Sequence, residues 1–190
     1  DGLKRLKDGG AFFSEARYDY ASTKTAEAHA LMLSGWSPSG SGIIGDSWYD
    51  RRTGAFVTAG ASSTHPILKT TAEGGSPEQM LVTTVGDALK KEHPNAMVLT
   101  ASWKRYAAVL NGGQHPDGAY WFDPATGRFV TSDYYLREYP AWTNRVNGSD
   151  LAEPYVGKTW LNHQLGAGQP NLASRNLIQN TPYANDILLR

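Results

Sequence analysis

Between residues 77 and 102 the chain changes its hydrophobic period, and that change restricts the fold more than any other feature. Residues 77–91 (PEQMLVTTVGDALKK) carry Leu81, Val85 and Leu89 at four-residue intervals, with Met80 beside them. That spacing puts them on one helix face. Pro77 suits a first helical turn, and Ser76 with Gln79 has the spacing of a capping box. Residues 96–102 (AMVLTAS) then form a short apolar run, which reads as a buried parallel strand. A helix followed by such a strand predicts an α/β unit.

The other segments are shorter. Residues 2–8 form an amphipathic helix pattern that Gly9-Gly10 stops. Residues 11–18 predict a strand with Phe12 and Phe13 in the core. Residues 26–34 (AEAHALMLS) predict a helix with Ala28, Leu31 and Met32 at its apolar positions, closed by Gly35, and 36–42 read as a loop. Residues 48–57 (WYDRRTGAFV) and 121–130 (WFDPATGRFV) share an aromatic pair, an Asp and a Thr-Gly turn. Both predict β-hairpins with Gly at a positive-φ position, one turn solution used twice. Asp50 and Asp123 are turn formers in this reading. Residues 105–113 suggest a strand ending at Asn111-Gly112-Gly113. Residues 132–146 suggest a partial helix with Ser132 as its cap, and 147–190 suggest little regular structure. No interdomain linker is visible.

Composition narrows the chemistry. Of 190 residues, 40% are hydrophobic and 19% charged, a globular balance. Formal net charge is zero, with no basic block of the kind a nucleic-acid binder carries. No cysteine is present, which excludes thiolate metal sites and Cys nucleophiles. No apolar run approaches the roughly 20 residues that span a bilayer.

Reactivity is best placed at Thr23-Lys24-Thr25-Ala26, where a loop meets a helix. A Thr hydroxyl there has two uses. It can cap the helix, or it can face an anion drawn to the free N–H groups and the positive end of the helix. As a nucleophile it needs a base or a metal. Trp121, Phe122, Tyr134, Tyr135, Tyr139 and Trp142 form an aromatic set. It reads either as a packed core or as the lining of a groove for a sugar or base.

The ordered segments carry a resemblance. Residues 20–54 include Thr25-Ala26-Glu27-Ala28-His29, Ser34-Gly35-Trp36-Ser37-Pro38, Gly42-Ile43-Ile44-Gly45-Asp46 and Trp48-Tyr49-Asp50. They are followed by SPEQMLVTTVGDALKK, SWKRYAAVLNGG, AYWFDPATGRFVTSDYYLREYPAW and TPYANDILL. This series resembles the type I phosphodiesterase/nucleotide pyrophosphatase branch of the alkaline phosphatase superfamily, closest to the phosphate-irrepressible bacterial alkaline phosphatases. The resemblance covers nearly the whole chain. It implies a three-layer α/β/α sandwich with a mostly parallel sheet, and a lid of hairpins and aromatic segments over roughly residues 105–175. The whole, 1–190, would be an incomplete N-terminal portion of a catalytic domain.

The resemblance implies hydrolysis of a small phosphate ester, monoester or diester, through a phospho-threonine intermediate. It implies two zinc ions and export to the periplasm or cell surface. Thr25 matches the nucleophile and is the one metal-ligand position present; the other ligands belong to segments before Asp1 and after Arg190, so the residues given would be inactive alone. Lys104 matches a contact to the transferred phosphoryl group. Asp46 and Tyr106 match substrate-binding positions where the related phosphatases carry Asn and Arg. Ala28 replaces a motif Gly. An Asp at 46 brings an acceptor in place of a donor, and Tyr106 removes a bidentate clamp for a dianion. A non-catalytic relative acting as a binding or structural protein is the competing expectation. A sulfatase-like activity is the weaker third, because its motif is different and this chain has no Cys.

Overall fold

The computed structural model describes residues 2–149, 151–166 and 172–189. Its centre is a β-α-β unit. Strand β5 (Leu99–Ser102), helix α5 (Arg105–Gly112) and strand β6 (Gly118–Asp123) follow one another, and β5 pairs parallel with β6. The crossover helix is what allows parallel pairing over so short a stretch of chain. Strand β7 (Arg128–Val130) returns antiparallel beside β6 through the predicted 121–130 hairpin, with Gly127 at φ 72°.

Alternation along β6 splits the core. Ala119 and Trp121 point to one face, where Ala108, Val109 and Val130 complete a buried cluster. Tyr120 and Phe122 point to the other, against Phe129, Leu151, Ala152, Tyr155, Ile178 and Ile187. A strand covered on both faces reads as a near-continuous apolar run, as GAYWF does. The second face is closed by helices α6 (Ala141–Asn147), α7 (Leu172–Ile178) and α8 (Tyr183–Leu188) and by a 3-10 turn at Glu153–Tyr155. Helix, sheet and helix thus form the layers of the expected α/β class.

Behind α5 lies α2 (Thr25–Ser34), which ends at Gly35 in the left-handed conformation, φ 74°. Ala26 and Ala30 of α2 pack with Ile43, Ala59, Met80 and Leu110. Small residues at this seam let the two helices approach closely. Helix α1 (Gly2–Gly9) precedes this core, and α3 (Pro38–Ser41) packs on α2. Strands β1 (Ser47–Asp50) and β2 (Ala55–Thr58) form the other predicted hairpin. Asp50 accepts the Arg52 N–H at 2.8 Å, which holds its carboxyl below the usual carboxylate range. Short antiparallel pairs join β3 (Ala61–Ser62) to β4 (Gly74–Gly75) and β8 (Thr159–Trp160) to β9 (His163–Gln164).

Several expectations are corrected. Residues 11–18 form no strand, and Phe12 and Phe13 are 63% and 77% exposed. Leu31 and Met32 do not carry the buried face of α2; Ala26, Glu27 and Ala30 do. The 36–42 loop contains α3. Helix 77–91 begins only at Val85, as α4 (Val85–Glu92), and Leu81 is 75% exposed. Ser76 and Gln79 form no capping box. Ser76 donates to Glu78, and Gln79 binds the Ala61 carbonyl and the Gly60 N–H. The working capping box is Thr84 with Asp87. Residues 105–112 are helix, not strand, because Ala108 and Val109 serve one buried cluster and Leu110 another, on a 3.6-residue period. Ser132 caps nothing and donates to the Gly75 carbonyl; Pro140 precedes α6 instead. Beyond residue 147 the chain is more regular than expected, with α7, α8 and the β8–β9 pair.

Candidate functional site

Helix α2 starts at Thr25, and Lys24 is its N-cap residue without a side-chain cap bond. The capping use of the Thr25 hydroxyl is therefore not the one observed. Among the described residues nothing hydrogen-bonds that hydroxyl. The cap comes from elsewhere: the Ala26 N–H donates to Asp46 Oδ1 at 2.8 Å. Asp46 is itself fixed, because its carbonyl accepts the Ala59 N–H at 3.0 Å at the base of the β1–β2 hairpin. A carboxylate at a helix N-terminus is favoured by the free donors and the helix dipole. Asp46 thus sits at the first turn, beside Thr25.

Glu27, the third residue of α2, is fully buried. Its Oε1 accepts from Ser22 at 2.6 Å, which ties the approach loop to the helix, and its Oε2 has no partner. The Tyr20 hydroxyl nearby is also buried without a partner. Burial, then the charges of Tyr18, Glu27 and Asp19, push the Tyr20 hydroxyl above its ordinary value. His29 shares a 2.7 Å hydrogen bond with the Thr25 carbonyl, one turn back along the helix.

Lys104 stands at the N-cap of α5, exposed, with its ammonium 5.7 Å from the centre of the Tyr106 ring. Tyr106 packs against the same apolar cluster that contains Ala26 and Ala30. This cluster links the Lys104 end of α5 to the first turn of α2. Arg105 is committed elsewhere, to Glu73 at 2.9 Å and the Gly74 carbonyl at 3.0 Å. Thr25 and Asp46 are therefore brought together, and Lys104 and Tyr106 lie at the N-terminal end of α5, the helix packed against α2.

The aromatic set divides between the two faces of the sheet. Trp121 lies with Tyr135, while Phe122 stacks on Trp103 at 4.2 Å. These are packed cores. Trp142 is partly exposed and meets Tyr120 edge-on.

Sequence reading missed the burial of Glu27, which sits at an unspecified place in its motif. It also missed a polar network in which His65 lies 2.9 Å from Asp133 and 3.8 Å from Glu78. The Ser76 hydroxyl, then that of Ser62, holds the Glu78 carboxyl below its usual range. These partners are far apart in the chain, and no local spacing announces them. Among the described residues no three His, Asp or Glu side chains converge in a way that would hold a metal ion, and no helix is long and apolar enough to cross a membrane.

The family profile described as type I phosphodiesterase/nucleotide pyrophosphatase matches residues 1–178. The chain is similar to alkaline phosphatase PafA of Elizabethkingia meningoseptica, at 30% identity over 100% of this chain and 41% of that protein. It is also similar to alkaline phosphatase PhoV of Synechococcus elongatus, at 34% identity over 84% of this chain and 30% of that one. The crystal structure of wild-type PafA superposes with a TM-score of 0.79 at 30% identity, covering 90% of this chain and 39% of PafA. A PafA variant with a Thr, an Asn, a Lys and an Arg substituted together gives a TM-score of 0.80 at 31% identity, over 90% of this chain and 40% of the variant. The chain thus spans less than half the length of these relatives.

Proposed function

Because the chain belongs to the type I phosphodiesterase/nucleotide pyrophosphatase family, we propose that the protein hydrolyses phosphate esters with the Thr25 hydroxyl as nucleophile. The observation that carries this reading is the geometry at the start of α2. Thr25 is the first helical residue and its hydroxyl is unbonded. Among the described residues Asp46 is the one side-chain acceptor at that helix end, and another loop supplies it. Two intervals add support. The substituted Thr and Asn of the PafA variant are spaced as Thr25 and Asp46 are here, and its Lys and Arg as Lys104 and Tyr106 are.

In the reaction, Thr25 Oγ attacks phosphorus and the bond to the ester oxygen breaks. The alcohol leaves with a proton, and a phospho-threonine remains. Water then attacks the phosphorus of that intermediate, releasing phosphate or a phosphomonoester and restoring the hydroxyl. The first turn of the helix faces the charge that develops on the phosphoryl oxygens, although its Ala26 N–H is held by Asp46, and Lys104 adds a mobile positive charge. The reading includes two zinc ions, which the family resemblance implies and which would activate the hydroxyl when bound. The described residues do not assemble a site for them, because no three His, Asp or Glu side chains converge among those residues. Export to the periplasm or cell surface is proposed from the resemblance alone and is tested by cell fractionation.

The test is Thr25→Ala in the full-length protein, assayed on nitrophenyl phosphate esters with acid-quench mass spectrometry. The wild type should show one phosphoryl group on the peptide that holds residue 25. Thr25→Ala should lose that label and at least about 1,000-fold in kcat/KM, the scale seen when a nucleophile is removed. Wild-type turnover by Thr25→Ala would end the proposal. A second reading, a non-catalytic binding protein, is favoured by one observation: the Asp46 carboxylate occupies a backbone donor that a phosphoryl oxygen would use. It predicts no turnover of any ester.

A further inference from the structure

We propose that Glu27 and Ser22 are positioning residues, which hold α2 in the register that leaves the Thr25 hydroxyl free to react. This rests on the phosphoesterase reading above and names what keeps its nucleophile available. Three registers compete at this helix start, because Thr23, Lys24 and Thr25 follow one another. Threonine is a good N-cap, whereas lysine offers no cap oxygen. Yet Lys24 is the N-cap, extended at φ −80° and ψ 176°, with no side-chain bond. A Thr23 cap would bond the N–H of Thr25 or Ala26, and Asp46 already holds the Ala26 N–H at 2.8 Å. A Thr25 cap would leave that Asp46 bond intact, since Ala26 would become the first helical residue. The Thr25 hydroxyl would then accept the N–H of Glu27 or Ala28 and turn into the helix, away from an anion in front of the first turn.

The bond from Ser22 to Glu27 opposes that second register. Glu27 is fully buried, its Oε1 accepts the Ser22 hydroxyl at 2.6 Å, and its Oε2 has no partner. A buried carboxylate is costly unless it is hydrogen-bonded, and among the described residues Ser22 is its donor. Moving Thr25 from helical to extended backbone lengthens the path between Ser22 and Glu27 by about 2 Å, the difference in rise per residue. A 2.6 Å hydrogen bond does not survive that displacement. Asp46 thus excludes the longer helix, and Glu27 with Ser22 excludes the shorter one. A metal ion on the hydroxyl, as in the reading above, would favour the same register, so the share set by the chain itself is read in metal-free protein.

The experiment uses the full-length protein with its threonines isotopically labelled for NMR, metal-free after chelation and again as purified. The Cα and Cβ shifts of Thr25 report whether its backbone is helical or extended. The wild type should be helical. Ser22→Ala, at an exposed position, should move metal-free Thr25 toward extended, with the capped form favoured about 5-fold, the worth of a threonine cap. Ser22→Thr, which keeps a hydroxyl, should retain the helical shift. On nitrophenyl phosphate esters kcat should fall about 5-fold in Ser22→Ala while KM stays near wild type, and Ser22→Thr should recover it. A serine that merely stabilised the fold would lower Tm without moving the Thr25 shift. A helical Thr25 in metal-free Ser22→Ala would overturn the proposal and leave hydrolysis standing, and so would a full kcat beside an extended Thr25. A wild type that turns over no ester would end the hydrolytic reading, and the Thr25 shift would then decide the register by itself.

Discussion

Replacing Asp87 should cost more stability than any other single carboxylate in the described chain. Asp87 is 8% exposed. Its Oδ2 accepts from the Thr84 N–H at 2.8 Å, the Gln114 N–H at 3.0 Å and the Thr84 hydroxyl at 3.2 Å, while its Oδ1 accepts the His115 N–H at 2.8 Å. It is thus the capping box of α4 and the clamp on the loop that leaves α5. Hydrogen bonds to a charged group contribute about 1.5–3 kcal/mol each, and a buried donor left unpaired costs about 1–3 kcal/mol. Gln114 and His115 are partly exposed, so water recovers part of their loss. Asp87→Ala should therefore destabilise by about 4 kcal/mol, or about 10 °C in Tm for a chain of this size. Thr84→Ala removes only the hydroxyl and should cost about 1 kcal/mol. Paired urea melts measure both values, and hydrogen exchange at the Gln114 and His115 amides reports the clamp directly. A cost under about 1 kcal/mol for Asp87→Ala, or unchanged exchange at those two amides, would refute the reasoning.

Two further outcomes follow from the same accounting. Gly54 and Gly127 occupy matching hairpin positions at φ 71° and 72°, but a Cβ at Gly54 meets only the Tyr49 hydroxyl at 3.8 Å, whereas one at Gly127 would lie 2.9 Å from Arg175 Nε. Gly54→Ala should cost about 1 kcal/mol from backbone strain, and Gly127→Ala about 3 kcal/mol because it also displaces Arg175 from Glu153; equal costs in thermal melts would contradict this. The Lys90 ammonium, then the Val98 N–H, hold the Asp117 carboxyl below its usual range. A lowered folded-state value contributes stability that is present above the unfolded value, about pH 4, and is lost as pH falls through the lowered one. The fall in Tm below about pH 4 should accordingly be shallower in Asp117→Asn than in the wild type, and identical pH profiles would count against the pairing.

Elements written in local chemistry were legible. Both Thr-Gly hairpins formed where their glycines required positive φ, and α2 closed at Gly35 because a left-handed residue was available there. Elements decided by distant partners were not. Residues 105–113 contain the run Ala107 to Leu110, which fits a strand as well as a helix, and only packing against α2 and β6 selects the helix. Ser76 and Gln79 imitate a capping box, yet their side chains are drawn to Glu78 and to the Ala61 carbonyl. At the candidate site, Thr25 was visible as a hydroxyl at a helix start. That Asp46 would be its neighbour could be proposed only from the resemblance, since 20 residues separate Asp46 from Ala26. Distance along the chain also hides the pairing of His65 with Asp133, 68 residues apart, which neither spacing nor the resemblance indicated.

The borrowed cap of α2 also bears on the order in which the chain assembles. A ten-residue helix is marginal in water by itself, and this one lacks a side-chain cap of its own at Lys24. Its cap arrives only when the loop to Asp46 closes, and the Ala59 N–H that steadies Asp46 lies beyond the β1–β2 hairpin. During synthesis the segment from Thr25 to Ser34 therefore leaves the ribosome well before the residues that can hold it helical. The first turn of α2 is built late, as a joint product of helix and hairpin, and a peptide covering α2 alone should stay unstructured until the hairpin is supplied.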